Sequence, residues 1–321
     1  MSMSRVIVVG ILSVSLIALG AGVASGQPYP YKPIRIMANE AGGGNDFVAR
    51  MVAQALSASV GQPVIVENRP NIISTVTVAK AEPDGYTLLS QGQSVWIGPL
   101  MRDHVPYDPV KSFAPITIMM GAPLILVVTP AFPVQSVKEL FALAKAKPGA
   151  LNYYAATRGS AVHLAPELFK SMAGVDIVYV AYNSTAPALA ALLAGQVQLS
   201  FPTAPSAGPL LKAGKLKALA VTSAQPSVLV PGVPTMAASG LPGYELLNYT
   251  GMFAPAKTPV TIIRRLNQEV VRALNQSDIK EKLANTGAEV VGSSPEQAAS
   301  VIKSDMARLG KVIKDAGIRA D

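Results

Sequence analysis

Regular alternation of strand-like and helix-like segments is the feature that most constrains the fold of this chain. Short apolar runs recur along it, and the segments between them have helical spacing, as in Val48, Val52 and Leu56. The alternation favours an α/β fold with mainly parallel sheets flanked by helices. The predicted strands cover 34–39, 63–67, 86–90, 123–129, 151–155, 176–181, 196–201 and 216–222.

The C-terminal part follows a different pattern, in which one strand-like segment at 246–256 precedes two long helical patterns. Ser294 with Gln297 has the spacing of a capping box, and Ser136 with Glu139 has the same spacing earlier in the chain. Two long helices after a returning strand indicate that the chain comes back to its first domain.

The N-terminus has the form of a secretory signal peptide. Arg5 precedes an uncharged run at 6–26 with an apolar centre, and small residues follow at its end. A membrane anchor is the alternative, but the apolar centre is short for a bilayer span. We predict cleavage near Gly26, which leaves about 295 residues (321 minus 26) in the periplasm.

Composition argues against several function classes. The net charge is +8, or +7 without Arg5, yet no basic run is interleaved with aromatic residues, so nucleic acid is not a predicted partner. The chain has two histidines, no cysteine, no G-x-S-x-G motif and no phosphate-binding P-loop motif. We therefore expect no cofactor, no metal and no enzymatic activity, with a secreted α/β hydrolase as the alternative.

Three turns in the sequence suit the binding of an anion. Gly42, Gly43 and Gly44 lie between a strand and a helix, where bare backbone N–H groups at a helix N-terminus attract negative charge. Similar strand-to-helix turns occur at 157–160 and 183–185. Ligands in α/β proteins bind beyond the carboxyl ends of strands, so these turns are the predicted binding site.

Motifs along nearly the whole mature chain resemble those of the Bug-type extracytoplasmic solute receptors, which serve tripartite tricarboxylate transporters. They include the GGGND turn, VGQPVIVENRP, EPDGYTLL, KPGALNYY and AGKLKALAVTS, in that order. The resemblance implies a two-lobed Venus-flytrap protein with two crossing strands, and we expect the protein to be a monomer. Lobe one would comprise 27–127 and 252–321, and lobe two 128–251.

The resemblance also implies a ligand, a partner and a set of contacts. The ligand would be a small organic carboxylate, and the partner would be the membrane components of the transporter. If the turns at 42–46 and 158–161 face each other across the cleft, the ligand should have polar groups at both ends, which favours a dicarboxylate; an aromatic acid is the other candidate. A ligand sensor for a membrane kinase is a variant of this function. The implied binding residues are Gly42, Gly43, Gly44, Asn45, Asp46, Gln93, Ser94, Thr157, Gly159, Ser160, Tyr182, Asn183, Ser184 and Thr185.

The chain departs from the family pattern near the expected cleft. Glu40 and Arg158 stand where uncharged residues are usual, NIISTV replaces a glycine-rich loop after ENRP, and Pro202 replaces a frequent aspartate. We add Glu40 and Arg158 to the candidate site. Either they form an ion pair that latches the closed lobes, or Glu40 holds a ligand ammonium group, or both face solvent.

Four aromatic residues fall near predicted strand ends and suggest an aromatic ligand, although core packing explains each of them equally well. They are Trp96, Tyr154, Phe201 and Tyr249.

Overall fold

The computed structural model describes residues 29–39, 41, 44–155, 160–182 and 185–319, without the side chains of 185 and 186. The chain separates into two units, Met1–Tyr31 and Lys32–Asp321. Only 29–31 of the first unit are described, so the predicted signal peptide lies outside the described residues. All elements below belong to the second unit.

Strands and helices alternate through most of this unit. The strands are β1 (Ile34–Ala38), β2 (Val64–Asn68), β3 (Thr87–Gly92), β4 (Phe113–Pro123), β5 (Ile125–Val128), β6 (Asn152–Ala155), β7 (Val178–Ala181), β8 (Leu199–Ser200), β9 (Lys217–Val221), β10 (Leu247–Pro255) and β11 (Glu289–Val290). The helices are α1 (Gly44–Val60), α2 (Asn71–Ala79), α3 (Ser94–Ile97), α4 (Val137–Ala146), α5 (Ala161–Ala173), α6 (Thr185–Leu193), α7 (Ala204–Lys212), α8 (Val260–Leu274), α9 (Ser277–Asn285) and α10 (Pro295–Asp315), with a 3-10 turn at Gly98–Met101.

The strands form two sheets, which confirms the predicted α/β fold. The first has the order β11-β4-β10-β3-β1-β2 and the second the order β7-β6-β8-β5-β9. Of the nine pairings between described strands, four are parallel and five antiparallel. The prediction of mainly parallel sheets is therefore right for the β-α-β units but incomplete for the whole.

Antiparallel pairing arises where the chain passes between the sheets. β4 leads through Leu124 directly into β5 of the second sheet, and β10 returns beside β4 in the opposite direction. The Leu124 amide donates to Thr222 Oγ1 at 2.8 Å, and the Leu246 amide donates to the Thr222 carbonyl at 2.9 Å. Both passages are thus tied to the same residue. The lobe boundaries at 127/128 and 251/252 stay a prediction.

Strand β4 was missed in the sequence because its composition disguises it. Pro115, Gly121 and Pro123 interrupt an otherwise β-rich run, and such residues are disfavoured inside strands. The local caps were easier to predict. The Gln297 amide donates to Ser294 Oγ and the Ser294 amide donates to Gln297 Oε1, which confirms the capping box that begins α10.

Helix α10 packs against the first sheet and against α3. Its Asp305 is 3% exposed and accepts hydrogen bonds from Gln93 Nε2 at 2.9 Å and from Trp96 Nε1 at 3.2 Å. Trp96 also packs against Phe253 of β10, with 6.1 Å between ring centroids. Because α3 is only one turn long, these contacts hold it in place beside the candidate site. None of the described helices is long and apolar enough to cross a membrane.

Candidate functional site

A cavity of about 450 Å³ lies where elements of the two sheets meet. In the first sheet and its helices, the cavity is lined by the ends of β1 and β3, the starts of α1, α2 and α3, and part of β10. In the second, it is lined by the start of α5 and by Thr203 before α7. The lining residues are Asn39, Gly44, Asn45, Asn71, Gln91, Gly92, Gln93, Ser94, Ile97, Gly98, Met101, Arg102, Met120, Leu124, Ser160, Ala161, Val162, Leu164, Thr203, Asn248 and Thr250.

Several helices begin at this cavity. Gly44, Asn71, Ser94 and Ala161 are the first residues of α1, α2, α3 and α5, and Thr203 is the N-cap of α7. Helix N-termini carry partial positive charge and unpaired backbone N–H groups, so their convergence favours an anion. Among the described lining residues, none is an aspartate or a glutamate.

Among the described residues that line the cavity, Arg102 is the one with a positively charged side chain. It is an exposed residue that follows the 3-10 turn, and the ion pairs of the described residues do not include it. Its Nη1 atom lies against Gly98, 3.3 Å from the position that a Cβ would take. Burial raises the pKa of nearby Tyr107 to about 12, and the charge of Arg102 opposes that rise. Tyr107 therefore adds no negative charge beside the guanidinium at physiological pH.

Amide side chains form a connected polar wall on one side of the cavity. Asn45 Nδ2 donates to Gln91 Oε1 at 2.7 Å, and Gln91 Nε2 donates to Asn71 Oδ1 at 3.2 Å. Thr250 Oγ1 donates to Asn45 Oδ1 at 2.8 Å, and Asn71 Nδ2 donates to Ser94 Oγ at 3.0 Å. The wall therefore links five separate elements and holds its side chains in defined orientations.

The structure brings five of the sequence-predicted residues to the cavity: Gly44, Asn45, Gln93, Ser94 and Ser160. Their role in binding stays a prediction. Gln93 is mostly buried, and its amide nitrogen is engaged by Asp305 rather than by the cavity.

Two further predicted residues are described but do not line the cavity. Asp46 lies inside the first turn of α1, where its carboxylate accepts from Arg50 Nε at 3.1 Å and Asn68 Nδ2 at 2.8 Å. Tyr182 is half-buried, with its ring 6.1 Å from that of Tyr154.

The remaining predicted positions lie outside the described residues: Glu40, Gly42, Gly43, Thr157, Arg158, Gly159, Asn183 and Ser184, together with the side chain of Thr185. The Glu40–Arg158 latch and the ammonium site at Glu40 thus stay untested predictions.

The four aromatic candidates lie in the hydrophobic core, and none lines the cavity. Trp96 and Phe201 are fully buried, and Phe201 packs against Phe169 with 6.4 Å between centroids. Core packing therefore accounts for these residues.

Much of the polar lining could not be predicted from the sequence. The polar lining residues that were not predicted are Asn39, Asn71, Gln91, Arg102, Thr203, Asn248 and Thr250, although NIISTV was noted as a departure and Asn71 is its first residue. Asn39 also leaves its Oδ1 atom buried without a partner among the described residues. A donor group entering the cavity would satisfy that oxygen.

Comparison with known proteins identifies the family. The model of the tripartite tricarboxylate transporter family receptor, TctC, matches residues 48–318. Protein BugT of Bordetella pertussis is 33% identical over 99% of both chains. A solved R. palustris structure with adipate is 35% identical, with a TM-score of 0.71 over 91% of this chain and 99% of that one.

MatC from Rhodopseudomonas palustris, solved with bound malate, is 31% identical, with a TM-score of 0.67 over 89% of this chain and all of that one. The resemblance predicted from the sequence motifs is confirmed by these matches. The chain belongs to the TctC family of tripartite tricarboxylate transporter receptors and is a periplasmic solute-binding protein of that family.

Proposed function

We propose that this receptor captures a small aliphatic dicarboxylate in the cavity and releases it, chemically unchanged, to the membrane components of a tripartite tricarboxylate transporter. One observation carries the proposal: helix N-termini converge on a cavity whose charged lining residue is Arg102 and whose described residues include no carboxylate. Such a lining offers donors to an anion, and its described side chains bring no repelling charge.

The choice of an aliphatic ligand with two carboxylates has separate support. Two similar proteins were solved with adipate and with malate, both of which are dicarboxylates. Arg102 lies after the 3-10 turn, whereas Gly44 and Ala161 begin other helices, so the lining has positive groups in more than one place. The aromatic side chains that suggested an aromatic acid are in the core.

Family membership supports a periplasmic setting for the proposed function. The protein would work in the periplasm as a monomer after removal of its signal peptide near Gly26. Its two predicted lobes, 27–127 with 252–321 and 128–251, would close around the solute by moving about the paired strands β4 and β10.

The proposal is tested with the purified mature protein and a thermal-shift screen of carboxylates. Dicarboxylates from succinate to suberate are compared with monocarboxylates of equal chain length, and hits are measured by calorimetry. We expect one dicarboxylate to bind per chain and to be recovered unchanged by mass spectrometry. A converted product, or the absence of any carboxylate ligand, would contradict the proposal.

Replacement of Arg102 by Gln tests whether this residue binds a carboxylate of the solute. A charge-assisted hydrogen bond at a partly exposed site predicts that adipate binds about tenfold more weakly, with little change for hexanoate. The loss should shrink at high salt. Arg264→Gln is the matched control, because Arg264 is also exposed but does not line the cavity. Unchanged adipate binding would refute a charge-reading role for Arg102, whereas equal losses for adipate and hexanoate would refute only its contact with the second carboxylate.

A further inference from the structure

The hydrogen bonds of the polar wall have a fixed donor-to-acceptor order, and a backbone N–H group determines that order. The Gly92 amide donates to Gln91 Oε1 at 3.1 Å. A backbone N–H is always a donor, so the atom of Gln91 that faces it must be the oxygen. The nitrogen of this buried amide therefore points the other way, towards Asn71 and Ser74.

The orientation of the Gln91 amide determines the orientations of the Asn71 and Asn45 amides. Because Gln91 presents its nitrogen to Asn71, Asn71 must answer with its oxygen, and its own nitrogen then faces Ser94 Oγ. On the other side, Asn45 presents its nitrogen to Gln91 Oε1 and its oxygen to the Thr250 hydroxyl. Reversal of any one amide would place two donors or two acceptors face to face.

Ser94 is where this chain of hydrogen bonds reaches the cavity. Its Oγ atom accepts from Asn71, and its carbonyl accepts from the Tyr107 hydroxyl at 3.4 Å. No described residue accepts the proton of the Ser94 hydroxyl, and Ser94 lines the cavity. A hydroxyl that accepts from one side is polarised to donate on the other.

We propose that Ser94 is a committed hydrogen-bond donor to a carboxylate oxygen of the captured solute, and that Asn71 and Gln91 are positioning residues that set this polarity. The inference rests on the proposed function, since it assigns one contact to the solute. A carboxylate oxygen only accepts and an ammonium group only donates, so the committed donor selects the carboxylate.

The test reverses the polarity without changing the size of the side chain. In Asn71→Asp an oxygen still accepts from Gln91, but the group facing Ser94 becomes an acceptor. The Ser94 proton then turns towards it, and lone pairs face the cavity. The new charge also repels a carboxylate, so the same change is made in Ser94→Ala, where only this repulsion acts.

The two variants form a double-mutant cycle measured by calorimetry with adipate, or with whichever dicarboxylate from succinate to suberate the wild type binds most tightly. We expect Asn71→Asp to weaken binding about thirtyfold when Ser94 is present, but only about threefold when it is added to Ser94→Ala. The two changes would then be coupled by a factor of about ten. Ser94→Thr keeps the hydroxyl and should retain most of the affinity. Fluorescence of Trp96, the only tryptophan of the chain, checks that each variant is folded.

The outcomes separate this inference from the proposed function. If the wild type binds no dicarboxylate, both fall. If it does and the two changes multiply independently, or if Ser94→Ala binds as tightly as the wild type, the donor role of Ser94 is wrong while the proposed function stands. Should Asn71→Asp not fold, the comparison of Ser94→Ala with Ser94→Thr decides, because only the hydroxyl differs in donor capacity.

Discussion

Replacement of Asp305 by Leu should destabilise the protein strongly, because it removes the acceptor of two buried donors. Gln93 Nε2 and Trp96 Nε1 both donate to Asp305 Oδ2, and the two donor residues are 9% and 0% exposed. A buried donor left without a partner costs ~1–3 kcal/mol, so the two together predict a loss of about 2–6 kcal/mol. That is a large part of the ~5–15 kcal/mol typical of a folded domain.

A more conservative change separates hydrogen bonding from charge. In Asp305→Asn the remaining oxygen still accepts from both donors, whereas the amide nitrogen faces Arg308 Nη2, which lay 3.1 Å from the carboxylate. Arg308 is 26% exposed, so solvent screens part of that loss. We expect a cost of about 1 kcal/mol, clearly below that of the leucine variant.

Urea unfolding followed by tryptophan fluorescence measures both variants, because Trp96 is the only tryptophan and lies at the altered contact. Asp278→Asn is the control: its ion pair with Lys282 at 3.0 Å is exposed and screened by solvent, so its loss should cost far less stability than Asp305→Leu. A cost below about 1 kcal/mol for Asp305→Leu, with an unchanged denaturant slope, would refute the reasoning.

Three further predictions concern other parts of the structure. Gly287→Ala should lower stability by at least about 2 kcal/mol in thermal unfolding, because its φ is +74° and a Cβ would lie 2.3 Å from Pro205 Cδ. Gly214→Ala, with φ +66° and open space, should cost less; equal costs would exclude the clash. Burial raises the pKa of Tyr107 to about 12, so the folded state holds this proton more tightly and stability should fall as pH rises from about 10 to about 12. Tyr107→Phe should flatten that decline, and an unchanged slope would contradict it. Gly44→Ala should keep the fold, since among the described residues its Cβ meets a flexible methionine methyl group at 3.7 Å and nothing closer, yet it should weaken adipate binding by crowding the start of α1. Unchanged affinity would remove that helix end from the site.

Local features of this protein were predictable from its sequence because their causes lie within a few residues. The capping box of Ser294 and Gln297 spans one helical turn, and it begins α10 as predicted. The strand and helix patterns between 34 and 222 appear as β1–β3 and β5–β9 with helices between them. The family could also be predicted from the sequence, because its motifs are short contiguous segments that follow one another in the expected order.

Contacts between distant residues were decided only by the tertiary structure. Gln93 was predicted to face a ligand, yet Asp305, which is 212 positions away, takes its amide nitrogen. Asn45 is held by Thr250 across 205 positions, and the direction of its amide follows from the Gly92 backbone. Sequence spacing places a residue on an element but does not say which neighbour the fold will bring to its side chain. The polarity of Ser94 therefore depends on the packing of β3, α1, α2 and β10, and no single segment determines it.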